Sequence, residues 1–130
     1  MEKIKAAIYC RLANDNPMIM NNQRKKLRIY ATENGHDLVA EYYDSGFSGR
    51  TLDRPAFLQM DADITAGKID TVFVSGISRI GRDFIKVGNW LSDLDKRGAK
   101  LIAIDGSHEM PSFINDFYGV FRKSRKRKRA

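Results

Sequence analysis

The chain has 130 residues, 42% hydrophobic and 30% charged, a mixture that suits one globular domain with a modest core. Its apolar runs are too short to span a bilayer, "MEKIK" leads into a strand rather than a signal peptide, and the single cysteine, Cys10, allows no internal disulfide. Lys+Arg is 23 against Asp+Glu 16, giving +7, and seven of those cations lie in the tail "RKSRKRKR", which leaves the remainder neutral.

In chain order, "AAIYC" (6–10) reads as a short, nearly continuous apolar strand, followed by a polar loop over 11–20. The stretch 22–34 predicts a helix with Leu27, Tyr30 and Ala31 on one face and Gly35 as its stop. "DLVAEYY" (37–43) is a second strand, and "SGFSGRTLD" (45–53) is a loop. Asp53 and Pro55 open a helix to about Ala66, because proline suits a first helical turn. A third strand covers 69–75, a polar turn 75–83, a helix extends to about Arg97 with Gly98 as its stop, and a fourth strand covers 100–104. From about Ser112 a further helix is expected, with Phe113, Phe117, Val120 and Phe121 at helical spacing, running into the basic tail.

Alternating strands and helices predict an α/β fold in three layers: a mostly parallel sheet of four to five strands with helices on both faces. The domain division expected is 1–110 for this unit and 111–130 for the start of a C-terminal helix. Ligands of such sheets bind beyond the carboxyl ends of the strands. Three segments leave those ends, 11–20, 44–53 and 76–83, and they carry Arg11, then Asp44, Ser48, Arg50 and Arg54, then Ser78, Arg79, Arg82 and Asp83.

Arginines gathered on one rim ask for carboxylates or a polyanion, and guanidinium forks match phosphate oxygens in pairs. A phosphodiester or phosphoryl site stabilised by arginine rather than metal is therefore the expected chemistry. Gly46, Gly49 and Gly81 would let backbone approach a ligand, but neither a glycine-lysine phosphate loop nor a dinucleotide fingerprint is present, so no nucleotide cofactor is expected. His36 and His108 lack metal-ligand spacing and read as surface loop residues, so no metal is expected either. The tail cations Arg122, Lys123, Arg125, Lys126, Arg127, Lys128 and Arg129 are either a solvated end or direct contacts to phosphates.

"YCRLA", "YYDSGFSGRTLDRPAF" and "SRIGRD", in that order and spacing, resemble the catalytic domain of serine site-specific recombinases, the resolvase/invertase family, in the style of its large members and transposon integrases. The resemblance implies attack of a serine hydroxyl on a DNA backbone phosphate, a covalent protein–DNA linkage, and strand exchange without metal or other cofactor. It implies double-stranded DNA as partner, and self-association as dimer and tetramer, with a monomer expected where the long helix is cut short. It implies a cytoplasmic, nucleoid-associated setting and no membrane partner.

Residue by residue, Tyr9, Arg11 and Leu12 fit the first motif, and Ala13 stands at the nucleophilic serine position. Arg11, Arg54, Arg79 and Arg82 would clamp the phosphate, and Asp44 would orient the arginines or the nucleophile. Gln23 matches a glutamine of the first helix, Ser78 stands where small resolvases have aspartate, and Arg50 would be an auxiliary DNA contact. A methyl group cannot attack phosphorus, so cleavage is expected to be lost while binding survives. Two origins of Ala13 stay open: a serine-to-alanine replacement, or a naturally inert DNA-binding and assembly partner of active recombinases.

Plainer readings stand beside these. Arg11 could pair with Asp44, while Arg79 and Arg82 could be a solvated helix start. Ser45 and Ser48 read as turn formers. Cys10 alternates with Arg11 and should face the core, and Tyr9, Phe73 and Trp90 read as packing residues.

Overall fold

A computed structural model describes residues 5–107, and the expectations for His108, the helix from Ser112 and the basic tail lie outside the described residues. The elements are β1 (Lys5–Leu12), α1 (Pro17–Glu33), β2 (Asp37–Ser45), α2 (Pro55–Thr65), β3 (Thr71–Val74), a 3-10 turn (Ile77–Arg79), α3 (Phe84–Lys96) and β4 (Lys100–Ala103). The four strands form one sheet in the order β2-β1-β3-β4, with every pairing parallel. The three-layer parallel α/β fold is therefore present.

Alternation along β1 sorts the core into two halves. Ala6, Ile8 and Cys10 meet Leu27 and Ala31 of α1, together with Phe73. Ala7 and Tyr9 meet Phe57, Met60 and Ile64 of α2, and Val87, Trp90, Leu91 and Leu94 of α3. Ring contacts tie this second half together, Tyr9 to Phe57 at 5.7 Å and Phe57 to Trp90 at 5.1 Å between centroids. Tyr9, Phe73 and Trp90 are thus packing residues. Burial also pushes the Cys10 thiol up to about 12, with Glu41 adding to the shift, so the thiolate is disfavoured. His36 is a loop residue, but its ring is half-buried edge-on against Phe73 at 4.9 Å.

Boundaries at the carboxyl ends differ from expectation. Helix α1 starts at Pro17, not 22, because the Asn16 side chain caps it by accepting from the Ile19 amide at 3.1 Å and Pro17 supplies the first turn. Strands β1 and β2 run on to Leu12 and Ser45, so Arg11 and Asp44 are paired strand residues, in register with each other, rather than loop residues. Helix α2 does begin at Pro55, yet Asp53 does not cap it. The acceptor is Asp44, whose carboxylate takes the amides of Ala56 and Phe57, each at 3.0 Å. Among the described residues, no helix is long and apolar enough to cross a membrane.

Candidate functional site

Strand β1 lies between β2 and β3, so the chain leaves it by α1 to one side of the sheet and returns by α2 to the other. That reversal opens a crevice beyond the carboxyl ends of β1 and β3, the usual ligand position in open parallel sheets. Here the crevice is filled by the chain's own guanidinium groups. Arg11 and Arg54 are the two largest fully buried side chains, at 2% and 0% exposure.

Arg11 points towards the segment after β3. Its Nε donates to the Arg79 carbonyl at 3.0 Å, its Nη2 to the Ser78 carbonyl at 2.7 Å, and its Nη1 to the Phe47 carbonyl at 3.0 Å. No ion pair with Asp44 forms, although the two residues are opposite each other in the sheet. Gly49 makes this possible. A Cβ there would lie 2.9 Å from Arg11 Nη2 and 3.2 Å from Arg11 Cζ, so any larger residue would collide with the guanidinium. Burial lowers the Arg11 pKa, and the Arg54 charge lowers it further, with Arg79 and Arg82 adding. The cationic cluster expected from the sequence is therefore felt electrostatically, and Arg11 still stays charged.

A second network reaches the same place from α2. Tyr9 donates its hydroxyl proton to Asp44 Oδ2 at 2.7 Å and accepts from Arg54 Nη1 at 2.6 Å. The direction is fixed by inventory, since guanidinium can only donate and an ionised carboxylate can only accept. Burial first, then the bond to Asp44, raises the Tyr9 pKa above the usual phenol range, so Tyr9 keeps that proton. Arg54 also donates to the carbonyls of Thr51 at 3.0 Å, Arg79 at 3.1 Å and Ile80. Its guanidinium lies 5.0 Å from the Phe57 ring centroid and 5.7 Å from that of Tyr9.

Arg79 is half-buried, donating to the Arg11 carbonyl at 3.1 Å and to Ser75 Oγ at 3.4 Å. Arg82 is exposed, and among the described residues its guanidinium has no hydrogen-bond or salt-bridge partner. Its backbone amide bonds the Gly49 carbonyl at 3.0 Å, joining the turn after β3 to the loop after β2. That loop is tied to β1 as well, because the amides of Gly46 and Phe47 bond the Leu12 carbonyl at 2.8 and 3.0 Å. Gly46 sits at φ +78, a backbone shape that glycine adopts without strain. Ala13 is exposed directly after this junction, and Gln23 Oε1 accepts from the Arg11 amide at 3.3 Å.

Tyr9, Arg11, Asp44, Arg54 and Arg79 thus share one network, with Gln23 and Arg82 attached through backbone groups. Ser78 contributes its carbonyl while its side chain is exposed. Ser48 accepts from the Arg50 amide at 3.1 Å, the turn-forming role, and Arg50 itself points to solvent. Gly49 and Gly81 give up their side-chain space to Arg11 and Val87 rather than to a ligand. Arg79 and Arg82 do not open α3; Asp83 caps it by accepting from the amides of Ile85 and Lys86. The sequence reading passed over Phe47, Thr51 and Ile80 as acceptors, for which no residue type gives a signal. It also passed over Asp15, which accepts from Ser45 Oγ at 2.6 Å beside the same rim. Among the described residues, no group of histidine, cysteine and carboxylate side chains could hold a metal ion.

Comparison with known proteins addresses the family and the fold. The family described as Resolvase, N terminal domain, matches residues 6–129. A resolvase of Escherichia coli is 30% identical over 116 residues, which cover 88% of this chain and 50% of that protein. The chain spans between a fifth and a half of the length of the curated relatives it matches. The N-terminal catalytic domain of TP901-1 integrase superposes with a TM-score of 0.77 at 26% identity, covering 96% of each chain. A resolvase family site-specific recombinase from Streptococcus pneumoniae gives 0.71 at 26% identity, covering 98% of this chain and 91% of that one. With the fold and these matches in agreement, the chain belongs to the resolvase N-terminal domain family, and it is similar in structure to recombinase catalytic domains.

Proposed function

We propose that this domain grips a backbone phosphate of double-stranded DNA at the rim where Arg11, Arg54, Arg79 and Arg82 meet, and that it does so without cleaving. The observation that carries the reading is the joining of Arg11, Arg54 and Arg79, from three separate segments, into one network beside the exposed Ala13, with Arg82 exposed after the same turn. A polyanion suits such a rim because exposed guanidinium groups pair with phosphate oxygens in a forked geometry.

In an active relative of this design, a serine at position 13 would attack phosphorus. A new phosphorus–oxygen bond forms, the serine proton leaves, and the displaced deoxyribose oxygen is released with a proton. The buried arginines keep the site positively charged while charge builds on the phosphate. Alanine leaves the electrostatic part and removes the attacking atom. Arg50 and the cations of 122–129 extend the contact along the backbone, and self-association brings two or four copies to one DNA site. The setting that goes with this reading is the bacterial cytoplasm, on the nucleoid.

The test is a pair of measurements. Fluorescence anisotropy with a labelled duplex should show weak binding that falls steeply with salt and is not displaced by equimolar inorganic phosphate. Displacement at that level would favour a small-anion module instead. Ala13→Ser, in a longer chain that carries a DNA-recognition domain, should give a protein–DNA adduct that survives denaturing electrophoresis. Lack of any adduct under recombination conditions would favour the inert assembly partner.

A further inference from the structure

The four arginines are not equivalent. Arg11 and Arg54 are buried with their forks turned inward, Arg79 is half-buried and Arg82 is exposed. The carbonyl oxygen of Arg79 is where the buried pair converges: Arg11 Nε reaches it at 3.0 Å and Arg54 Nη1 at 3.1 Å. A carbonyl has two lone pairs, so both are used. The flanking carbonyls are held as well, Ser78 by Arg11 and Ile80 by Arg54. Three consecutive carbonyls are thus fixed by two guanidinium groups that have almost no access to solvent.

We infer that Tyr9, Asp44 and Arg54 form a positioning relay that sets the backbone of residues 78–80, the turn that presents Arg79 and Arg82 to the DNA phosphate. The inference rests on the phosphate-binding reading and divides the labour within that site. Asp44 anchors the relay, because its carboxylate is fixed by the first-turn amides of α2. Tyr9 transmits that position to Arg54, and Arg54 transmits it to Arg79 and Ile80. From the other side Ser107 Oγ accepts the Ile77 amide at 2.7 Å, and the Asp105 carboxylate sits where a Cβ on Gly76 would fall, at 2.5 Å. The turn is therefore braced at both ends, while the Arg82 side chain stays exposed. Arg54 is accordingly a positioning residue rather than a phosphate ligand.

Salt dependence separates the two roles. Removing one protein–phosphate ion pair lowers the slope of log affinity against log salt by about 0.9 on duplex DNA. Using the full chain and a labelled duplex over a range of sodium chloride, Arg82→Gln should lower the slope by about that amount. Tyr9→Phe and Arg54→Gln should weaken binding several-fold at every salt concentration and keep the parent slope. A slope reduced by Arg54→Gln as much as by Arg82→Gln would overturn the inference. Amide hydrogen exchange gives a readout that needs no DNA and stays available if Arg54→Gln fails to fold. Tyr9→Phe should speed exchange at Ile80, Gly81 and Arg82 about tenfold or more and leave the amides of β4 unchanged. Arg82→Gln should not change exchange at Ile80 and Gly81. Unchanged exchange at those amides in Tyr9→Phe would also overturn the inference. Failure of the parent chain to bind DNA at any salt would instead remove the phosphate-binding reading, and the exchange result would then judge the relay by itself.

Discussion

The two faces of β1 bury their side chains on different terms. On one face Ile8 and Cys10 run into an apolar cluster with Leu27, Ala31 and Phe73. On the other, Tyr9 begins in an apolar cluster and the next residue on that face, Arg11, ends in a network of charge. The apolar face is held by area removed from water and by close packing, both of which tolerate modest reshaping. The charged face depends on every donor finding an acceptor, because an ion out of water is stable only when it is fully bonded. A site built on the second face has rigid geometry, and its tolerance for change is small.

The largest effect expected is on the charged face. Arg54→Met should destabilise the domain by about 4 kcal/mol in urea unfolding, because it strips donors from buried carbonyls and from the Tyr9 hydroxyl. A loss below about 1 kcal/mol would mean that those bonds are made as well by water, and the contrast between the faces would disappear. On the apolar face, Leu27→Ala should cost about 3 kcal/mol through the cavity it leaves. The folded variant should keep the parent's DNA affinity, and reduced affinity would show that the faces are coupled. Gly49→Ala comes next, at about 2 kcal/mol. Its methyl would press on the Arg11 guanidinium and on Arg82 Cγ, so DNA affinity should fall together with stability.

Alkaline pH sharpens the same comparison with a smaller effect. The Cys10 thiol is raised from 9.0 to about 12 in the folded chain. Below pH 9 both states hold the proton and the group contributes no slope. Between about 9 and 12 the unfolded chain loses it and the folded chain keeps it, so stability falls as pH rises, by roughly 1 kcal/mol per pH unit. Tyr9 adds a like loss from about pH 10 upward, since its pKa is raised as well. Cys10→Ala should flatten the decline that starts near pH 9, and Tyr9→Phe the part that starts near pH 10. Unfolding curves at stepped pH measure both, and identical slopes in parent and variants would rule out the assignment.

Much of this was legible in the sequence. The period of the apolar residues pointed to four strands and three helices, and Gly35 and Gly98 marked where two helices stop, because both signals act over a few residues of chain. Three motifs in register pointed to the family, and the motif residues Tyr9, Arg11, Asp44, Arg54 and Arg79 do lie together. What the sequence left open was how the charge is satisfied. Arginine type and spacing asked for carboxylates or a polyanion, and within the fold Arg11 and Arg54 also donate to the carbonyls of Phe47, Thr51, Ser78, Arg79 and Ile80.

Local pattern thus determined the elements and their order. Only the tertiary structure decided which way each guanidinium points and that Asp44, not Asp53, caps α2. The physical reason is that every residue carries a carbonyl, so an acceptor of this kind has no signature in residue type. Its availability depends on where the fold brings the backbone within reach of a buried donor.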